Sequence, residues 1–389
     1  MLDLKRTAAV LFAALVLLPL ASCGGRGSAP GGDGEDLGKY VASHGRMCYT
    51  SQACVFSKGN FVYYMANDLT RSAEPLCFKP DCMHTDDSCS AYIGTPCIYS
   101  CGDKLYYIGQ TRDARFQLFE MSLLGENRQV LRGLTMLQAN ENGMGYTADI
   151  RSGYLALTVS RIEDGKACRE FWLVDVGKPD SEPILVFSDD ENAYLFLNIV
   201  DEAAYLVRFL GDSGKMQLIS CSVKTGDTQV VVDDWARENC MTADGDMLYW
   251  YAPEEGFFSK DLTTGEVVKY RSADRATEYG AALYDDRYIY FTNAIPALDA
   301  RDWVPEGSRG LTVYDRQGNK LLFVPSSQKD TPTGIYPEMV TEDAVLLFPV
   351  SGDNYTPKWY LKKSDIETGS AELIPIPGSG RPAGGGASN

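Results

Sequence analysis

Gly102-Asp103-Lys104-Leu105-Tyr106-Tyr107 is a small polar turn running into a short apolar-aromatic strand. The same pairing recurs at Gly59-Asn60-Phe61-Val62-Tyr63-Tyr64, Gly153-Tyr154-Leu155-Ala156-Leu157 and Glu202-Ala203-Ala204-Tyr205-Leu206-Val207. It returns at Gly245-Asp246-Met247-Leu248-Tyr249-Trp250, Asp286-Arg287-Tyr288-Ile289-Tyr290-Phe291 and Asp343-Ala344-Val345-Leu346-Leu347-Phe348. These seven copies stand roughly 41 to 57 residues apart, and no long stretch between them carries helical periodicity. A repeat of about 40 to 50 residues in an all-β chain is the period of a β-propeller. The third and fourth copies match least well, so six and eight blades stay open beside seven.

A second element follows the first: strand, corner with Gly or Asp, strand. It is seen at Leu218–Asp227, Phe257–Glu266, Leu311–Asn319 and Leu361–Gly369. Gly at the corner accepts a positive φ, which suits a hairpin. The unit is therefore an inner strand, a turn, the Tyr-rich strand, a variable loop and an outer hairpin, which makes one four-stranded blade. A single blade cannot shield both of its faces from water. Blades in a ring bury them against each other, with bulky aromatics filling the wedge. The Tyr, Trp and Phe pairs are accordingly assigned to the core.

Leu248-Tyr249-Trp250 followed by Phe257-Phe258-Ser259-Lys260-Asp261-Leu262 resembles a blade of the YWTD propellers of lipoprotein-receptor type. The Tyr-bearing strands and Gly corners, taken with the N-terminal motif described next, resemble bacterial lipoproteins with YWTD-like domains of unknown function (the DUF5050 group). The likeness covers most of residues 44–377. Trp250 is followed by Tyr251 and Ala252 in place of Thr-Asp, so the resemblance implies an architecture and carries no ligand.

The N-terminus reads as an export signal. Lys5 and Arg6 precede an apolar run of about thirteen residues, Ala8 to Leu20, that ends in Leu20-Ala21-Ser22-Cys23. That is a lipobox in place of a small-residue cleavage site. The run is too short to span a bilayer, which needs roughly twenty residues. Residues 1–22 are expected to be removed, and the Cys23 thiol to carry fatty chains such as palmitate. Residues 23–43 are Gly/Ser/Pro-rich and read as a flexible tether, 44–377 as the propeller, and 378–389 as a disordered tail. The expected location is the extracytoplasmic side of a membrane, held by the N-terminal lipid.

The formal net charge of −17 excludes nucleic acid as a partner, since phosphates call for a Lys/Arg surface. Eleven cysteines is a high count; leaving out Cys23, seven of the other ten fall between Cys48 and Cys101. In that interval stands Leu76-Cys77-Phe78-Lys79-Pro80-Asp81-Cys82-Met83-His84-Thr85-Asp86-Asp87-Ser88-Cys89-Ser90, where the first blade's outer hairpin should be. Three readings stand side by side, one of them free structural thiols. Export makes disulfides available, for instance Cys77 with Cys89, Cys48 with Cys54 and Cys97 with Cys101, leaving His84 as an exposed polar residue. Alternatively Cys77, Cys82, His84 and Cys89 form a tetrahedral zinc set of three thiolates and one imidazole, although Cys-x4-Cys-x-His-x4-Cys is wider than the usual zinc spacings. One of the chain's two histidines lies inside this cluster, which supports the metal.

Catalytic signals are sparse. Gly211-Asp212-Ser213-Gly214 has the letters of a serine nucleophile but no histidine in a triad-like setting, and it reads as a turn. The acidic pairs Asp189-Asp190, Asp233-Asp234, Glu254-Glu255 and Asp285-Asp286 fall at blade edges and turns. They are read as solvated acids, with glycosidase carboxylates or calcium ligands as the alternatives. The expectation is a non-catalytic, membrane-tethered binding or docking module for a protein, peptide or glycan. The alternative is an extracellular hydrolase of glycans or peptides. The long loop from Thr292 to Arg309 is the first choice for a ligand rim, with Trp303 as either a contact anchor or a cap on the blade.

Overall fold

In the computed structural model the repeats become seven antiparallel four-stranded blades of a seven-bladed β-propeller, one of them extended to five strands. The residues described are 41–42, 47–49, 53–69, 71–95, 97–137, 144–163, 166–213, 215–236, 240–244, 246–252, 256–271, 281–285, 287–292, 310–325, 335–349, 357–370 and 372–377. The signal segment, Cys23, most of the tether, the tail and Trp303 lie outside them.

From the centre outwards, blade 1 consists of Met47–Tyr49, Ala53–Lys58, Phe61–Ala66 and Glu74–Pro75. Blade 2 is Tyr99–Cys101, Lys104–Gln110, Phe116–Ser122 and Gln129–Gly133; blade 3 is Met144–Arg151, Tyr154–Glu163, Lys166–Asp175 and Ile184–Asp189. Blade 4 is Ala193–Val200, Ala203–Leu210, Lys215–Ser222 and Thr228–Ala236; blade 5 is Cys240–Asp244, Met247–Ala252, Gly256–Asp261 and Val267–Arg271. Blade 6 is Ala281–Tyr284, Tyr288–Thr292, Gly310–Asp315 and Lys320–Pro325; blade 7 is Ile335–Val340, Ala344–Pro349, Trp359–Lys362 and Ile374–Pro375.

Successive residues of a strand face opposite sides of its sheet, and here both sides are buried. Tyr106 and Ile108 pack towards blade 3, while Leu105 and Tyr107 pack towards blade 1. Val345 and Leu347 face blade 6, and Leu346 and Phe348 face blade 1. Among the described residues the buried apolar side chains fall into seven clusters, one for each seam between neighbouring blades, the seam from blade 7 to blade 1 included. Aromatic pairs bridge several seams. Tyr249 stacks on Tyr284 with centroids 4.8 Å apart, and Phe257 meets Phe291 edge-on at 5.5 Å. Such pairs add about 0.5–1.5 kcal/mol beyond the area they bury.

The ring closes at both ends of the described chain. Val41–Ala42, assigned above to the tether, instead pair with the inner strand of blade 7, Val41 with Val340 and Ala42 with Met339. The Cys54 thiol of blade 1 meets the Met339 sulfur of blade 7 at 3.0 Å inside the closing seam.

Two elements depart from the sequence-based expectation. In blades 2 to 7 the turn-plus-aromatic motif makes the second strand, but in blade 1 Phe61–Ala66 is the third strand. The Gly59-Asn60 turn therefore joins second to third strand, one position further out than its counterparts. In blade 7 the expected hairpin at Leu361–Gly369 is replaced by the α-helix Lys363–Thr368, capped by Gly369 at φ 76°. Blades 4 and 5 leave three residues between the last strand residue and the corner Gly. Blade 7 leaves six, enough to close a helical turn.

The corner glycines do hold the left-handed backbone that the hairpin reading requires. Gly226, at φ 74°, is also a point of close approach: a Cβ there would stand 2.5 Å from the Val186 carbonyl oxygen of blade 3. Gly265, at φ 78°, has open space instead. Gly226→Ala is expected to lower stability by more than the roughly 1–3 kcal/mol of backbone strain that both positions share. Urea unfolding of the two alanine variants checks this; equal losses would show that the blade 3–blade 4 approach is not tight.

Candidate metal centre on the first blade

The outer position of blade 1 is held by two residues, Glu74–Pro75, against five to nine in blades 2 to 6. The rest of the third strand's outer edge is covered by the two stems of the Cys/His loop. Val62 binds both stems: its carbonyl accepts the Leu76 N–H at 2.9 Å and its N–H donates to the Ala91 carbonyl at 2.8 Å. Further along, Ile93 N–H donates to the Asn60 carbonyl at 2.8 Å, and Phe61 bridges to Tyr92. Loop 77–90 thus leaves and re-enters the blade at one residue.

Within that loop the donor atoms of Cys77, Cys82, His84 and Cys89 lie within 4.8 Å of one another, an arrangement that could hold a metal ion. Turns fold them together: Cys82 N–H donates to the Lys79 carbonyl and Cys89 N–H to the Asp86 carbonyl, both at 3.2 Å. His84 takes a left-handed backbone, φ 54°, and its Nδ1 lies 3.3 Å from the Cys89 sulfur. The Lys79 ammonium donates to the Ser88 carbonyl at 2.9 Å, and Asp86 accepts the Ser88 N–H at 3.0 Å.

Blade 2 supports the loop from outside. The Arg128 guanidinium donates to the carbonyls of Tyr92, at 2.7 Å, and Ser90, and lies over the Tyr107 ring. Gly125, in the blade 2 hairpin, comes so close to Leu76 that a Cβ would sit 3.0 Å from its backbone oxygen. Leu76, Cys89, Ala91 and Ile93 are buried in the seam between blades 1 and 2, whereas Phe78 and Met83 are 53% and 81% exposed.

The thiols differ electrostatically. Burial pushes Cys77 up, but hydrogen bonds from the Ser90 side chain, the Lys79 and Ser90 backbone and Cys82 outweigh it and bring it down to about 6. Burial, with Cys82 and Cys77 beside it, pushes Cys89 up to about 11 against the lowering effect of the Ala91 N–H. A second negative charge is thus resisted first by burial and then by the neighbouring thiols. A divalent cation removes that resistance by neutralising both charges.

Cys48, Cys54, Cys77, Cys82, Cys89, Cys97, Cys101, Cys168 and Cys221 are not joined in disulfides in this structure, unlike the local pairs of the first reading above. For Cys48 and Cys54 the reason is geometric. Cys48 sits opposite Val55, so Cys54 lies on the other face; one thiol packs towards blade 2 and the other towards blade 7. Cys97 and Cys101 both pack against the blade 2–blade 3 seam. Cys77 and Cys89 belong to the four-donor group.

Among the described members of the acidic pairs, Asp190 and Asp233 are exposed, as expected, and Asp285 departs from expectation. Asp189 caps a turn, accepting the N–H groups of Glu191 at 2.7 Å and Asn192 at 3.1 Å and the Tyr194 hydroxyl. Asp233 accepts the Gln217 amide at 2.6 Å. Asp285 is buried, not solvated, and pairs with Lys363 of blade 7 at 2.8 Å. Glu254, Glu255 and Asp286 lie outside the described residues, as do the side chain of Asp234 and the loop from 293 to 309. Gly211–Ser213 is a single 3-10 turn in which Ser213 Oγ donates to the Leu210 carbonyl at 2.7 Å, in keeping with the turn reading. Sequence reasoning missed Arg128 and Val62, because the first acts on backbone carbonyls and the second through its own backbone.

The fold and the site define a seven-bladed β-propeller bearing a Cys3His group at the outer edge of its first blade. No family model and no curated protein matches the chain. Solved structures of similar fold include a prolyl endopeptidase, at 14% identity and a TM-score of 0.42, covering 73% of this chain and 40% of its own. TolB from Acinetobacter baumannii matches at 13% identity and a TM-score of 0.36, covering 81% of this chain and 78% of that one. The nidogen/laminin complex contributes a chain at 10% identity and a TM-score of 0.39, covering 67% and 88%. The chain therefore spans less than half the length of the prolyl endopeptidase it matches. These likenesses concern the fold. Among the described residues no helix is long and apolar enough to cross a membrane.

Proposed function

We propose that this chain is a lipid-anchored, extracytoplasmic binding or docking module, a non-catalytic propeller held to a membrane through Cys23. The kind of protein is that of the bacterial lipoproteins with YWTD-like domains, and the partner is a protein, peptide or glycan. The observation that carries the non-catalytic reading is the use made of the carboxylates. Of the described members of the acidic pairs, Asp189, Asp233 and Asp285 are engaged in a turn, a strand contact and an ion pair between blades, and Asp190 is an exposed residue at the same turn as Asp189. A glycosidase needs instead two carboxyl groups facing one bond across about 5–9.5 Å.

We further propose that the Cys3His group holds Zn2+. Three thiolates and one imidazole match its preference for sulfur and nitrogen donors in a tetrahedron. Zinc supplies a fixed cross-link there; with four protein donors, no position is left for substrate.

The test is expression of the full chain in a lipid-modifying bacterial host. The wild type is expected in the membrane fraction and Cys23→Ala in the soluble fraction. Capture from detergent-solubilised membranes with the tether intact is expected to recover a partner. Turnover of a glycan or peptide library with no partner recovered would overturn the binding reading. Elemental analysis of protein purified under reductant is expected to find about one zinc per chain.

A further inference from the structure

We infer that the metal at Cys77, Cys82, His84 and Cys89 is a strut that supplements the shortened outer strand of blade 1, so that metal occupancy decides whether the edge of that blade is closed. This rests on the zinc reading above and adds what the ion does.

An ordinary outer strand covers its neighbour with a continuous ladder. Here the covering is split into two pieces, 74–76 and 91–93, which meet at Val62. Between them runs a loop of fourteen residues, 77–90, that is largely exposed. Ordering such a loop costs backbone entropy at every residue, and this one buries little apolar surface of its own to offset that. Compact segments too small for a core are commonly held by a metal instead.

The donors are placed to do this. Cys77 follows the outgoing stem directly, Cys89 stands two residues before the returning contact at Ala91, and Cys82 and His84 come from the middle of the loop. One ion bound to all four ties the two stems together at their base and fastens the tip to them. The Ala91 N–H reinforces the same corner by donating to the Cys89 sulfur at 3.3 Å. Blade 2 supplies a rigid backstop through Arg128 and Gly125. Without the ion these contacts must order the loop alone. The stems then open, and the Phe61–Ala66 strand presents unpaired backbone groups at an edge, the form in which a sheet accepts another strand.

The experiment is amide hydrogen exchange on the full-length protein in detergent, kept under a non-thiol reductant, with Zn2+ added or removed by a chelator and bound zinc counted in each sample. An ion that binds only the closed edge slows exchange through opening by the factor 1 + [Zn]/Kd, about a hundredfold at a hundred times Kd. That slowing is expected at the amides of Val62, Leu76 and Ile93. Amides of blade 4, for instance within Ala203–Leu210, are expected to exchange alike in both states. His84→Ala, at a half-buried position, is expected to keep the fold while its stem amides lose the response to zinc. Zinc bound at one per chain with unchanged exchange at Val62 and Ile93 would overturn the strut and leave the zinc reading standing. No zinc bound by the reduced wild type would overturn both.

Discussion

Asp285→Ala is expected to destabilise the protein by about 3–5 kcal/mol, because it strands a buried ammonium. Lys363, at the start of the blade 7 helix, is 2% exposed and its Nζ lies 2.8 Å from Asp285 Oδ2. The same oxygen accepts the Tyr290 hydroxyl at 2.7 Å, and Oδ1 accepts the N–H groups of Tyr288 at 2.6 Å and Arg287 at 2.8 Å. Burial first, and then the Asp285 charge, hold the Tyr290 phenol well above its ordinary value, so it stays a donor. The Asp285 carbonyl accepts from Arg316, whose guanidinium also donates to the Tyr249 hydroxyl of blade 5. One residue therefore links blades 5, 6 and 7. A buried pair that is fully hydrogen-bonded contributes little net stability, but breaking it on one side leaves an uncompensated charge. The double variant Asp285→Ala/Lys363→Met should accordingly be less destabilised than the sum of the two single variants. Urea unfolding of the four proteins measures this. A loss below about 1 kcal/mol for Asp285→Ala would mean that Lys363 finds water or another acceptor.

Phe348→Ala is expected to cost about 3–5 kcal/mol, as large as the same change at Phe171 in the seam between blades 3 and 4. Phe348 is fully buried with Phe56, Met339 and Leu346 where the last blade meets the first. Phe171 is equally buried, between Phe187 and Phe196. In a closed ring no seam is terminal, so the two substitutions remove comparable packing. In an open array the seam between blades 7 and 1 would be absent, and Phe348→Ala would cost little. Comparing urea midpoints of the two variants separates a ring from an open array.

The propeller repeat and the all-β class are readable from sequence because the recurrent aromatic strands are buried between blades. Their residues run apolar without alternation, behind a Gly or Asp turn that recurs once per blade. The same turn chemistry serves any tight connection, which is why Gly59-Asn60 marks the second-to-third turn of blade 1 and not the first. The helix at Lys363–Thr368 is hidden because three extra residues before a left-handed Gly resemble a longer hairpin corner. Cys77, Cys82, His84 and Cys89 stand out as potential ligands since all four lie within one short segment. What remains hidden is everything that depends on a neighbouring blade. Cys48 and Cys54 look like a pair in the text, yet alternation along adjacent strands sends them to opposite faces. Asp285 looks like a solvated turn acid, yet a lysine from the next blade is folded against it.

The amino-acid sequence alone determined that short sheets recur, that they need partners on both faces, and that three thiols and an imidazole occupy the place of one blade's outer hairpin. Periodicity and local spacing carry such information because they act within a few residues. The tertiary structure alone decided which strand each turn begins, that the seventh blade packs on the first, which thiols converge, and which charges are buried together. Those outcomes depend on contacts between residues far apart in the chain, whose burial is set by the ring and not by their sequence neighbours.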